Sequence, residues 1–226
     1  MINKTAFDII GTYYTNAGTG GYAPGRVCES TVYYLPPGPL NALKFNIDAA
    51  NRGDAITYSV VQADESTFKH NPVLRPRPLE HDEAFGIVKM KRRSVVLLSP
   101  TAVRPSVAGL PKQDFPSVYL ACPMFRFHDT HVQEFRLRLE AWEYPFLFHL
   151  PPSDEFGILE GFLRLDLVIV IPEGQLRLTG TTLTGDALTA LHHCFTWYLT
   201  GKMDDAFAKY RGLLLGEVTK ILSSSP

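Results

Sequence analysis

The order of the elements limits the fold most. Short β-prone runs follow one another from residue 6 to residue 125, each closed by turn residues, and helical spacing enters only after Thr130. A doubly wound parallel sheet needs strand and helix to alternate, and this chain does not alternate them. The pattern predicts a mainly β, α+β domain: a small barrel or roll with helices added.

Read in detail, AFDIIGTYY (6–14) is a first strand, and NAGTGGYAPG (16–25) a loop of turn residues. The segment 26–39 starts as a strand and is ended by prolines, which cannot donate to a ladder. Strands follow at 42–47 and 55–61 about an NRGD turn (51–54), and residues 69–83, with their prolines, form a surface excursion. Strands at 84–90, 94–99 and 117–125 complete the β-rich part. Thr130 and Gln133 have the spacing of a capping box, in which each side chain satisfies a backbone donor at a helix start. Val132, Phe135, Leu139 and Trp142 continue at helical spacing until Tyr144-Pro145. A strand at 162–172 precedes two closing helices, 184–200 with Gly201 as stop signal and 203–222.

Composition bears on partners. Hydrophobic residues make up 45% of the chain, enough for a sizeable core, and the formal net charge is -1. No overall field draws such a protein to nucleic acid, so an anion site must come from a local cluster such as Lys91, Arg92 and Arg93. Cys28, Cys122 and Cys194 lack metal-site spacing and read as small core residues. MINKTAFDII does not read as a signal peptide, and LRLDLVIVIP (163–172) is too short and too charged for a membrane helix. A cytoplasmic protein without membrane attachment is expected.

FDIIGTYY, then KRRSVVLLSP (91–100), then SVYLACPMF (117–125) together resemble the PemK/MazF family of toxin endoribonucleases, with a looser match at 162–172. The motifs are short and cover about a quarter of the chain. The resemblance implies an SH3-like β-barrel, a homodimer, an antitoxin partner and metal-independent cleavage of single-stranded RNA. It implies a barrel domain over 1–180 with an insertion at about 15–88, and a C-terminal helical extension over 181–226. Arg93 falls on the family's catalytic arginine, and Ser94 replaces the proline that follows it. The simplest gapless match around Pro123 puts Phe125 where the family carries a hydroxyl.

Cleavage through the RNA's own 2′-hydroxyl needs a base, an acid and a fixed cation at the phosphate. Arg93 suits the cation, because its planar fork holds two phosphate oxygens. With Phe125 lacking a hydroxyl, His128 and His131 are the substitutes for acid and base. Lys91, Arg92 and Arg126 are candidate RNA contacts. HxxH at 128–131 lacks further ligands at a useful spacing, so neither a metal nor a cofactor is expected. Glu134, Glu140 and Glu143 read as surface salt-bridge partners of Arg136 and Arg138. A second reading keeps the fold without the chemistry: an inactive MazF-like module whose insertion and C-terminal helices hold a regulatory protein in a toxin–antitoxin or CRISPR-linked defence system.

Overall fold

The computed structural model describes residues 6–34, 40–46, 57–63, 86–99 and 117–224. The NRGD turn and the 69–83 segment lie outside them. The chain divides into a larger unit, residues 1–30 with 92–226, and a smaller one, residues 31–91.

The larger unit is built on a mostly antiparallel sheet. Its strands are β1 (Tyr14–Asn16), β2 (Arg26–Tyr34), β6 (Lys89–Leu97), β7 (Val118–Arg126), β8 (Leu147–Leu150), β9 (Gly161–Arg164), β10 (Ile169–Pro172) and β11 (Arg177–Leu183); the far ends of β2 and β6 belong to the smaller unit. The order is β1-β11-β2-β6-β7-β9-β8, with β10 also on β7. Among the described residues β1 and β8 end this path without pairing to each other, so the sheet is open and the expected barrel is not closed. The smaller unit carries β3 (Asn41–Asn46) between β4 (Thr57–Gln62) and β5 (Gly86–Ile87), all antiparallel. The fold is mixed α+β with mostly antiparallel sheets, as the element order predicts.

Helices α1 (Ala6–Ile10), α2 (Gln133–Glu140), α3 (Gly185–Thr200) and α4 (Asp205–Ser224) belong to the larger unit. The main core gathers Val96, Cys122, Phe148 and Leu163 from the sheet with Leu191 and Cys194 of α3 and Phe207 and Leu214 of α4. A second cluster joins Leu139 of α2 to Leu147 and Phe162 of the sheet, with Phe125, Phe127, Phe135 and Tyr144 packed around it. Strand alternation explains the two clusters, because Phe162 and Leu163 point to opposite faces.

Several expectations need correction. Residues 6–10 are helical, not extended: Ala6 and Ile10, one helical turn apart, are both buried, and Gly11 at φ 73° ends the turn in the left-handed region. The strand begins only at Tyr14. The Thr130 capping box does not form; Thr130 is exposed, and α2 starts at Gln133 with Val132 at its cap and no side-chain bond. Trp142 lies beyond α2, at φ 54°, with its ring stacked 4.8 Å from that of Phe207. The predicted strand 162–172 is two strands, separated by a tight turn at Leu165–Leu167, and both pair with β7.

The helical hairpin follows its signals. Thr184 Oγ1 accepts from the Ala187 N–H at 3.3 Å and donates to the Thr12 carbonyl at 2.6 Å, while Gly201 at φ 68° stops α3. Arg211 of α4 donates from Nε to the Trp142 carbonyl at 2.8 Å, tying the hairpin to the turn after α2. All three cysteines are buried free thiols. Among the described residues no helix is long and apolar enough to cross a membrane.

Candidate functional site

The residues singled out in the sequence lie mainly along β6, β7 and the loop after β7. Val95 pairs with Pro123, and continuing this antiparallel register sets Arg93 opposite Phe125. The Arg93 guanidinium lies 4.4 Å from the Phe125 ring centroid, and its Nη1 donates to the Met124 carbonyl at 3.4 Å. Phe125 in turn pairs across the strands with Phe162, the rings 5.8 Å apart and nearly parallel. Arg164 approaches the Phe125 ring at 5.9 Å and forms an ion pair with Asp166. A cation over an aromatic face is attracted by the ring's quadrupole, so Arg93 is anchored and not loosely solvated.

The neighbouring cations differ in setting. Arg92 is exposed and pairs with Glu29 at 3.1 Å, and Arg177 reaches the same carboxylate at 3.5 Å. Exposed pairs of this kind are worth about 0–1 kcal/mol. Lys91 is exposed at the edge of the smaller unit, and Arg126 is exposed at the end of β7.

His128 and His131 are brought together. The His128 N–H donates to His131 Nδ1 at 2.7 Å, and the two rings stack 5.9 Å apart. His131 packs against Phe127, Phe135 and the edge of Phe162, while His128 is exposed. The line of ring contacts from His131 to Arg93 runs through Phe162 and Phe125. Arginine and histidines therefore flank a small aromatic core and do not converge on one point through the contacts described.

One cluster was not legible in the sequence. Glu140 ends α2, His149 lies in β8, and Glu160 directly precedes β9. One ligand atom from each lies within 4.8 Å of the other two. His149 is buried, with its side chain 7% exposed and Nε2 3.4 Å from Glu160 Oε1. The other Glu160 oxygen faces Arg136 Nη1 at 3.4 Å, and the Arg136 guanidinium lies 4.8 Å over the Phe127 ring. The His149 hydrogen bond holds Glu160 below the usual carboxylate range, whereas burial raises Glu140 above it. Of the acids read as surface partners, Glu134 and Glu143 do pair with Arg138, at 2.8 and 2.9 Å. Glu140 instead joins the inward cluster. The signal available in the sequence was His149 itself, a polar residue inside the proline-bounded apolar run PFLFHLPP.

Comparison with known proteins adds no assignment: no family model matches the chain, and neither curated proteins nor solved structures give a match.

Proposed function

We propose that this chain is a non-catalytic cytoplasmic binding module, on a divergent SH3-like arrangement of strands of the PemK/MazF kind, that holds a regulatory protein. The observation that carries this reading is the Arg93–Phe125 stack. A nuclease of the kind the resemblance implies needs a hydroxyl or base beside its arginine. Here an apolar ring occupies that place, and the guanidinium lies on its face. Support comes from the helical hairpin, where Tyr198, Leu199, Tyr210 and Leu213 are 38%, 63%, 47% and 52% exposed. Large apolar side chains in solvent suit a protein partner better than a phosphate chain.

The test has two arms. Purified protein is incubated with mixed single-stranded RNA in EDTA, and intact RNA is expected. Cleavage that Arg93→Ala abolishes would refute the reading in favour of the endoribonuclease. Tagged protein is also used for capture from the native host. The expected partner is lost on Leu199→Asp with Leu213→Asp while the melting temperature holds.

A further inference from the structure

We propose that Glu140, His149 and Glu160 form a binding site for one divalent transition-metal ion, Mn²⁺ or Zn²⁺ in chemical class, with two carboxylate oxygens and one imidazole nitrogen as its protein ligands. This goes beyond the binding-module reading and does not depend on it.

The donor set comes first. Imidazole with carboxylates suits Zn²⁺, Mn²⁺ and Fe²⁺ and lacks the thiolates that would select softer ions. A metal held about 2.1 Å from each ligand spaces tetrahedral ligands about 3.4 Å apart. His149 Nε2 and Glu160 Oε1 stand at that spacing, 3.4 Å. Glu140 lies within 4.8 Å of both, so a carboxylate shift of at most about 1.4 Å by side-chain rotation completes the set.

Charge points the same way. Two carboxylates face each other in a half-buried place beside a buried imidazole, with Arg136 as the cation seen nearby. A divalent cation placed among these ligand atoms, which lie within 4.8 Å of one another, would neutralise both carboxylates together. Arg136 contacts the Glu160 oxygen turned away from His149, so it can orient the ligand without taking the ligating atom. The three residues come from a helix end, a strand and the residue before a neighbouring strand, and the β8–β9 register (His149↔Phe162) fixes two of them relative to each other. His149, mounted on a paired strand, holds its geometry better than a ligand on a loop would. Three protein ligands leave a coordination position open to water or to a small anionic ligand.

The experiment uses the full chain, stripped with EDTA, dialysed, and titrated separately with Mn²⁺ and Zn²⁺ by calorimetry at neutral pH, with melting curves in parallel. The expected result is one ion per chain at micromolar or tighter affinity and a melting temperature that rises with metal concentration. Glu140→Gln and His149→Ala should each weaken binding at least tenfold, and His131→Ala should leave it unchanged. Glu140→Gln keeps the shape of the side chain and carries the test if His149→Ala fails to fold. No binding of either ion at 100-micromolar protein, or binding that Glu140→Gln leaves intact, would overturn the proposal. So would loss on His131→Ala, because that would locate the ion at the HxxH loop.

Discussion

Gly161→Ala is the sharpest mechanical test of the sheet. Gly161 pairs with Arg126 where β9 meets the end of β7. A Cβ built there falls 3.0 Å from the Phe125 carbonyl carbon, 3.3 Å from Arg126 Cα, and closer still to the Phe125 oxygen. These are backbone atoms of a paired strand, so no rotamer change relieves the overlap. The strands must part by on the order of 1 Å, which carries the 3.3 Å Phe127–Glu160 backbone bond past working length. Loss or weakening of two backbone bonds costs about 2 kcal/mol. Disturbing the Phe125–Phe162 stack adds about 1 kcal/mol. The total of about 3 kcal/mol corresponds to a drop of about 6–12 °C in melting temperature for a chain of this size. Gly174→Ala is the control, since nothing lies within 4 Å of the added atom. Both variants are compared with wild type by calorimetry. A Gly161→Ala protein melting as high as the control would refute the close strand approach.

Arg93→Ala should cost about 1 kcal/mol, the scale of a half-buried cation–π contact, and lower the melting temperature by a few degrees without other effect. Thr184→Ala removes the α3 cap and the bond to the Thr12 carbonyl; a loss of about 1–2 kcal/mol should show in urea unfolding. The thiols should resist alkylation in the native state, since burial pushes Cys28 up to about 11 and raises Cys122 and Cys194 further. Folded pKa values above the unfolded ones mean that the folded state holds these protons more tightly. That stability is fully present below about pH 9 and is lost as pH rises toward and past 11, which pH-dependent unfolding checks.

Much of the fold could be read from local chemistry. β7 was legible from SVYLACPMF, and α3 from an apolar face bounded by Thr184 and Gly201, because one segment's own pattern decides each. β8 was not, since all four of its residues are buried and show no alternation to read. Arg177–Leu183 hides as a strand behind threonines and Gly180. The turn at Leu165–Leu167 defeats the reading differently. Phe125 faces Phe162 before it, while Ala121 faces Ile169 after it, so the side-chain alternation loses its phase across the turn. Val170 is consequently 61% exposed and Ile171 only 2%. The site divides in the same way. The basic entrance at 91–93 is a local signal, whereas Glu140, His149 and Glu160 meet only through tertiary packing and strand pairing.

The pairing of the chain's early and late segments sets a clock on synthesis. Thr179 Oγ1 bonds the Val27 carbonyl across 152 residues, and β11 lies between β1 and β2. At about 5–20 residues per second, a ribosome reaches β11 roughly 8–30 s after β2 has been made. Asn41–Asn46 finds its antiparallel neighbours, Thr57–Gln62 and Gly86–Ile87, close by in sequence, and these strands can pair during that interval. Until Arg177–Leu183 emerges, Tyr14–Asn16 and the start of β2 wait with open ladder edges. A nascent chain halted before residue 177 should therefore engage chaperones through its first strands, and one extended past 183 should let them go.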